Sequence, residues 1–178
     1  MDEILLNGAA WTIVMRLGKG KGGVSWLVER EGVRRVLKQI HHEPCDYYTF
    51  GDKLQSELAD YRRLLDAGIP VPELLDVDPA KERILKAYVD GPTVMELLIQ
   101  GADVRPLLPM IRQMAERARA HGLNIDYFPT NFVAARDGLW YSDYEGNAYM
   151  PEWDFEHWGV KYWSRTPELE EYLRQNAI

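Results

Sequence analysis

Three side chains in the second half of this sequence can act together on a phosphate: Asp126, Asn131 and Asp143. Carboxylate and amide oxygens suit Mg²⁺, which takes few protein ligands and leaves its remaining positions to phosphate and water. Asp126 precedes Asn131 by five residues, where its carboxylate can accept a proton from an attacking hydroxyl. The order of these residues predicts metal-assisted phosphoryl transfer.

A β-hairpin is predicted to bring two of these side chains together. Residues 132–134 and 139–141 are apolar and β-prone, and they flank an Asp-Gly pair at 137–138, which is a strong hairpin signal. Such a hairpin places Asn131 before its first strand and Asp143 after its second, so that both can share one cation. The alternative for this stretch alone is a polar hairpin with exposed carboxylates and no ligand.

A glycine-rich turn between two predicted strands is a second candidate for phosphate binding. Residues 11–15 and 24–28 are rich in β-branched and aromatic side chains, and Gly18, Gly20 and Gly23 lie between them. Glycine allows the backbone to approach a phosphate closely. A Rossmann-type loop needs a helix after its glycines, whereas a strand follows here. A glycine-rich hairpin without a ligand remains the alternative.

Lys38 is a lysine inside a predicted strand, and Glu57 and Asp60 are its candidate partners on the helix predicted after that strand. Lys38 lies in the apolar run 34–40, where a lysine needs a partner because its charge is costly to desolvate. Glu57 follows 19 residues later, in segment 46–67, whose apolar residues recur at helical spacing. The alternatives are an edge-strand lysine that reaches solvent and an ordinary surface glutamate.

The motif Asp126-x-x-x-x-Asn131, followed by Asp143-Tyr144-Glu145, resembles the catalytic loop and metal-binding motif of the protein-kinase-like superfamily. Its Asp-Tyr-Glu sequence is similar to the atypical branches, such as the aminoglycoside and choline kinases. The chain departs from the family pattern at two places. Asn124-Ile125-Asp126 stands where protein kinases have His-Arg-Asp, and Ser25 stands where they have a valine after the glycine-rich loop.

This resemblance implies an α+β chain with a two-lobed protein-kinase-like fold. The first lobe, residues 1–90, is expected to hold a five-stranded antiparallel sheet with one helix, because predicted strands at 72–76 and 83–89 join the three before them. The second lobe, residues 91–178, is expected to be reduced and mainly helical. Its predicted helices are 94–99, 104–120 and 167–174.

The resemblance also implies roles for individual residues, with ATP and Mg²⁺ as cofactors. The glycines would cover the phosphates, Lys38 would bind them and Glu57 would orient Lys38. Asp126 would position and deprotonate the acceptor hydroxyl, so that Asp126 and Lys38 are the catalytic residues. Asn131 and Asp143 would hold Mg²⁺. The implied nucleotide-binding residues, including two hinge residues for the adenine, are Gly18, Gly20, Gly23, Lys38, Glu57, Ala87 and Val89.

The acceptor is open at this stage. The chain has no Ala-Pro-Glu motif and no long activation segment, so it resembles minimal kinases such as the RIO-like group. A serine/threonine side chain of a protein is the first expectation, in a bacterial or archaeal type of kinase. A small-molecule acceptor, as in aminoglycoside phosphotransferases, is the second. A nucleotide-binding pseudokinase that acts as a regulatory module is the third.

Composition limits the partners and the compartment. The 178 residues carry a net charge of −7, which argues against nucleic acid or an anionic membrane as the main partner. No stretch approaches the roughly 20 apolar residues of a membrane span, and the N-terminus lacks signal-peptide features. Cys45 is the single cysteine, and the cluster His41–Cys45 lacks the ligand spacing of a zinc site. The predicted compartment is the cytoplasm.

The segment 147–163 contains three tryptophans and three other aromatic residues. Aromatic side chains bury large areas, so most of these six are predicted to form core against the long helix. A few are left for a recognition surface.

Overall fold

The computed structural model describes residues 1–44 and 52–176, which form two compact units. Unit 1 consists of Met1–Ala59 and Pro72–Tyr88, and unit 2 of Asp60–Val71 and Val89–Ile178. The first helix, α1 (Lys53–Asp66), begins in unit 1 and ends in unit 2. Within the described ranges, none of the helices combines the length and the apolar character that crossing a bilayer requires.

Unit 1 is built on one six-stranded sheet in which every neighbouring pair is antiparallel. The strand order is β1-β2-β3-β4-β6-β5. Leu6, Val28, Leu37 and Leu85 form its buried core, because alternate residues of the strands face the same side. The strands are β1 (Glu3–Leu6), β2 (Ala9–Lys19), β3 (Gly23–Arg30), β4 (Val33–Ile40), β5 (Leu74–Asp78) and β6 (Arg83–Ala87).

The expected five-stranded sheet is wrong, because β1 adds a sixth strand. Asn7 and Gly8 make the tight turn between β1 and β2, both with positive φ (47° and 81°), as a two-residue hairpin loop requires. Asn7 also donates its backbone N–H to Asp78 (3.0 Å) and its side-chain amide to Asp76 (3.0 Å). These bonds join the two edge strands, so the sheet curls into a half-barrel.

Unit 2 combines short helices with two small sheets. The strand pairs are β7 with β10 and β8 with β9, both antiparallel. Its helices are α2 (Val94–Ile99), α3 (Leu108–Ala120) and α4 (Pro167–Gln175), and its strands are β7 (Leu123–Asn124), β8 (Phe132–Ala135), β9 (Gly138–Tyr141) and β10 (Asn147–Ala148). The largest buried side chains in this unit are Trp163, Tyr127, Tyr141, Phe132 and Phe155.

The expectation of a mainly helical second lobe is also wrong, and with it the predicted two-lobed protein-kinase-like fold. The three helices have only 6, 13 and 9 residues. The described residues of unit 2 also form four short 3-10 turns. Three of them have a proline at or next to their first position. These turns are Arg105–Leu107, Pro129–Asn131, Pro151–Trp153 and Gly159–Tyr162.

Individual elements with strong local signals lie where the sequence predicts them. The Asp-Gly hairpin is confirmed, with Phe132 opposite Tyr141 and Ala135 opposite Gly138. The predicted helix 94–99 is confirmed, and Thr93 caps it through a hydrogen bond from the Glu96 N–H. The predicted start of α1 at residue 46 lies outside the described residues, which place its first helical residue at Lys53.

Candidate functional site

The predicted ion pair between Lys38 and Glu57 is present in unit 1. The Nζ atom of Lys38 lies 2.8 Å from Oε1 of Glu57, and the two side chains are only 11% and 9% exposed. Lys38 lies opposite Ser25 of β3 and Ile84 of β6, so β4 is flanked on both sides. The alternative of an edge-strand lysine is therefore excluded, and Lys38 has a carboxylate partner inside the unit.

The glycine-rich turn between β2 and β3 lies beside this lysine. Gly20 donates its N–H to the carbonyl of Gly23 at 2.9 Å, which closes the turn. A Cβ at Gly22 would lie 3.7 Å from the Lys38 Nζ atom. A Cβ at Gly23 would overlap the Gln39 carbonyl oxygen, so only glycine fits there. Gly18 pairs with Ser25 in the strands, and space around both Gly18 and Gly20 is open.

The residues after β4 hold the tip of this turn. The Nε2 atom of His41 lies 2.9 Å from the carbonyl oxygen of Gly20, and Glu43 forms an ion pair with Lys19 at 2.7 Å. Lys53 donates to the His41 carbonyl at 2.6 Å. The described part of the segment His41–Cys45 thus stabilises the glycine-rich turn, while Cys45 lies outside the described residues. Gly22, where an added Cβ would lie next to the Lys38 ammonium group, is a glycine that the G-x-G-x-x-G pattern does not include.

In unit 2, the loop before β8 holds Asp126 and Asn131 together. The N–H of Phe128 donates to Oδ1 of Asp126 at 3.1 Å, which fixes the carboxylate. The side-chain amide of Asn131 donates to the backbone carbonyl of Asp126 at 3.3 Å. Because the amide nitrogen of Asn131 is used in this way, its amide oxygen is the atom that can serve a ligand.

The hairpin brings the residue next to Asp143 onto Asn131. The carbonyl of Asn131 accepts hydrogen bonds from the Ser142 N–H (2.8 Å) and from the Ser142 hydroxyl (3.0 Å). Asp143 then accepts the N–H of Tyr144 at Oδ1, 2.8 Å away. The two ends of the β8–β9 hairpin are thus neighbours, as the Asp-Gly turn predicts. Asn131 lies before the first strand and Asp143 follows the second.

Tyr141 is a residue of this site that the sequence pattern did not single out. It is fully buried; its hydroxyl accepts the Asp126 N–H at 3.2 Å and donates to the Glu145 carbonyl at 2.9 Å. Burial raises the pKa of the Tyr141 hydroxyl well above its usual value, and the charges of Asp143 and Glu145 raise it further. The hydroxyl therefore remains protonated and joins the two segments that carry the carboxylates.

Asn124, two residues before Asp126, is buried in the short strand β7. It pairs with Asn147 of β10, and its side-chain amide donates to the carbonyl of Met150 at 2.8 Å. Within the described ranges, its amide oxygen makes no hydrogen bond. Asn124 therefore connects the segment before Asp126 to the segment after the hairpin.

Ala87 and Val89, which the resemblance implies as adenine-binding residues, differ in the backbone groups that they can offer a ligand. Ala87 is the last residue of β6, and its N–H donates to the carbonyl of Glu73 at 2.9 Å. That N–H is not presented to a ligand, because it is used within unit 1. Val89 lies outside the strand and belongs to unit 2, so its role in binding adenine stays a prediction.

The oxygen atoms of Asn131 and Asp143 suit Mg²⁺ rather than a softer metal, because both are hard ligands. In the two stretches of chain for which positions are given, no three His, Cys, Asp or Glu residues are grouped to hold a metal. This does not conflict with a magnesium role, since Mg²⁺ bound together with phosphate uses only one or two carboxylates. The side chains therefore fit the metal that the sequence predicts.

Comparison with protein-family models found no match to this chain, and comparison with curated proteins found none either. The two units present different chemical groups. Unit 1 presents a buried lysine–glutamate pair next to a glycine turn, and unit 2 presents two carboxylates and an amide around a bridging tyrosine.

Proposed function

We propose that the protein is an ATP-dependent phosphotransferase, which transfers the γ-phosphoryl group of Mg·ATP to a serine or threonine hydroxyl of an acceptor protein. The observation that carries this proposal is the hydrogen-bonded arrangement of Asp126, Asn131 and Ser142, which holds three predicted site segments together. The proposal rests on side chains rather than on a shared fold, because one fold serves many functions. A cytoplasmic location, where ATP is present, is part of it.

Unit 1 would supply the phosphate-binding groups. Lys38 is oriented by Glu57 and is largely buried, so its ammonium group would be in place to neutralise phosphate oxygens. The turn at Gly20–Gly23 would cover the phosphates with backbone N–H groups other than that of Gly20, which closes the turn. Both features support nucleotide binding, and neither requires a change of side-chain partner within unit 1.

Unit 2 would supply the groups around the reacting oxygen. Asn131 and Asp143 would hold Mg²⁺, which neutralises charge on the phosphates when it is bound. Asp126 would accept the proton of the acceptor hydroxyl, and its carboxylate is held for this by the Phe128 N–H. Phosphoryl transfer needs little covalent help, so positioning and charge neutralisation would account for most of the rate.

The proposal is tested by measuring nucleotide binding and phosphate transfer side by side for three proteins: the parent, Asp126→Ala and Lys38→Ala. Mg·ATP at 100 times its dissociation constant should add about 2.7 kcal/mol to the unfolding free energy of the parent. Asp126→Ala should keep near-parental ATP affinity and lose transfer by about 10²- to 10⁴-fold, because a general base acts in the transition state. Lys38→Ala should weaken ATP binding itself.

The outcomes separate the three expectations. Transfer of labelled phosphate to proteins of a lysate supports the proposal, and transfer only to amino sugars would replace the protein acceptor by a small molecule. A parent that binds Mg·ATP without transfer, and that does not differ from Asp126→Ala, would be a nucleotide-binding module. A melting temperature that saturating Mg·ATP leaves unchanged would contradict the nucleotide site altogether.

A further inference from the structure

Five aromatic rings of unit 2 form one continuous patch next to the candidate catalytic loop, and we call this patch the aromatic surface. The Phe128 ring contacts those of Tyr172, Tyr162 and Trp158, with centroids 4.8, 5.2 and 6.4 Å away. Trp158 in turn contacts Tyr162 at 5.3 Å and Trp153 at 5.9 Å. The aromatic surface therefore consists of Phe128, Trp153, Trp158, Tyr162 and Tyr172.

The aromatic surface is partly open to solvent and is tied to Asp126. Trp153 is 53% exposed, and the other four rings are half-buried, whereas Phe155 and Trp163 of the same segment are core. The Phe128 N–H holds the Asp126 carboxylate at 3.1 Å, so the aromatic surface starts two residues from the candidate base. A group bound on these rings would lie on the same segment as the proton acceptor.

The charges around the aromatic surface favour a cationic partner. Elsewhere in unit 2, arginines cover the rings of Phe155 (Arg112, 5.9 Å) and Tyr149 (Arg119, 5.4 Å). In the part of the chain with assigned positions, no cation covers any of the five rings. No cation of the described residues therefore competes with an external cation for these rings.

Two acidic residues next to the aromatic surface add to this preference. Glu152 adjoins Trp153 in sequence, and Glu168 lies one helical turn before Tyr172, on the same face of α4. Both are exposed, and neither forms an ion pair with any residue that the structure describes. The other acidic side chains between 149 and 176 are paired, namely Asp154, Glu156, Glu170 and Glu171. Lys161, beside Tyr162, is the basic residue that opposes this charge.

We propose that the aromatic surface binds a lysine- or arginine-containing segment of the acceptor protein, next to the serine or threonine that Asp126 would activate. The cation would lie over the faces of Trp153 and Trp158, with Glu152 and Glu168 as its anionic neighbours. This assignment rests on the proposed phosphotransferase function for its catalytic part. The binding itself does not depend on catalysis and can be measured without nucleotide.

The test uses the full chain and two matched peptides, measured by isothermal titration calorimetry without ATP. One peptide carries a serine flanked by arginines, and in the other every arginine is replaced by glutamine. The basic peptide should bind, and Trp153→Leu should weaken its binding about 3- to 30-fold, the range that the loss of one cation–π contact implies. Trp140→Leu is the matched control, because Trp140 is half-buried in β9 and bonds Asp137 instead.

Two further variants test the charge. Glu168→Gln should weaken binding of the basic peptide, and Lys161→Ala should strengthen it, because each changes the charge beside the rings in the opposite direction. Equal binding of the two peptides, an equal loss in Trp140→Leu, or stronger binding of an amino sugar than of the basic peptide would each overturn the proposal. Binding of the basic peptide without phosphorylation on adding Mg·ATP would leave the aromatic surface assigned and count against the phosphotransferase alone.

Discussion

The hydroxyl of Tyr141 accepts a hydrogen bond from the backbone N–H of Asp126, with 3.2 Å between the two atoms. The same hydroxyl donates to the carbonyl of Glu145, so one buried side chain joins the segment of the candidate base to the segment that follows Asp143. Both partners are backbone groups, which a neighbouring side chain cannot easily replace. Loss of this single oxygen would remove one hydrogen bond from each of these two backbone groups.

We predict that Tyr141→Phe lowers the unfolding free energy by about 1–3 kcal/mol, because it removes two hydrogen bonds of a buried hydroxyl, each of which contributes about 0.5–1.5 kcal/mol. The ring itself is retained, so no cavity forms and the cooperative transition should persist. Urea unfolding of the two proteins measures this difference. Tyr162→Phe is the control, because the Tyr162 hydroxyl makes no hydrogen bond to any residue whose position is given, and its effect should stay within about 0.5 kcal/mol.

The second prediction concerns the stability of the Lys38–Glu57 pair. Glu57→Leu removes the carboxylate 2.8 Å from a largely buried ammonium group, and breaking such a pair costs about 3–5 kcal/mol. The double variant Lys38→Met/Glu57→Leu removes both charges and should recover most of that loss. A double-mutant cycle from urea unfolding gives the interaction energy. The cycle also needs the single variant Lys38→Met. If the double variant is destabilised by the sum of the effects of Lys38→Met and Glu57→Leu, the two charges act independently.

The third prediction concerns Asp143 as a magnesium ligand. Asp143→Asn removes its negative charge and keeps its shape, so the unit should fold while phosphate transfer falls about 10²- to 10³-fold, the range for losing one electrostatic group. The Mg²⁺ concentration needed for half-maximal activity should rise as well. Asp137→Asn is the matched control in the turn of the same hairpin. Parental activity in Asp143→Asn would remove Asp143 from the metal site.

The fourth prediction is a pH dependence in unit 1. Hydrogen bonds from the backbone N–H groups of Asn7 (3.0 Å) and Lys81 (3.1 Å) hold the pKa of Asp78 below its usual value. A carboxylate with a lowered folded pKa stabilises the protein above its unfolded pKa of about 3.9, and this contribution is lost as the pH falls through the folded value.

Asp78→Asn should therefore lose less unfolding free energy than the parent when the pH is lowered from about 5 to below about 3. Asp66→Asn serves as the control, because Asp66 is exposed at the end of α1 and makes no ion pair or hydrogen bond with the described residues. The unfolding free energy of Asp66→Asn should fall with pH as that of the parent does. If the unfolding free energy of Asp78→Asn fell with pH just as that of the parent does, the Asp78 carboxylate would not link folding to proton binding.

The sequence by itself determined the features that depend on neighbouring residues. The Asp-Gly turn specified the hairpin of β8 and β9, and Thr93 specified the start of α2. A lysine in an apolar strand needs a partner, which limited the choice for Lys38 to the acidic residues of the next helix, Glu57 and Asp60. The resemblance selected Glu57, and its carboxylate lies 2.8 Å from the Lys38 ammonium group. Such signals lie within one turn, one cap or one strand–helix step.

The sixth strand could also have been found, because Asn7-Gly8 between two apolar runs is the same kind of signal as the Asp-Gly turn. That β1 belongs to the sheet core was decided by contacts far apart in sequence. Leu6 is buried with Leu85, and Asn7 bonds Asp78 across 71 residues. A local sequence pattern does not show which residues come into contact over such separations.

Only the tertiary structure decided which aromatic residues are buried and which form a surface. Trp153 and Trp163 have the same side chain and lie in the same segment, yet one is 53% exposed and the other 1%. Trp163 packs against the buried rings of Phe132 and Phe155, and its indole N–H is satisfied by the carbonyl of Tyr127 at 2.7 Å. Trp153 belongs to a short 3-10 turn and is exposed. The bridge of Tyr141 between Asp126 and Glu145 was decided in the same way, because burial and hydrogen-bond partners are set by the packing of distant segments rather than by residue type.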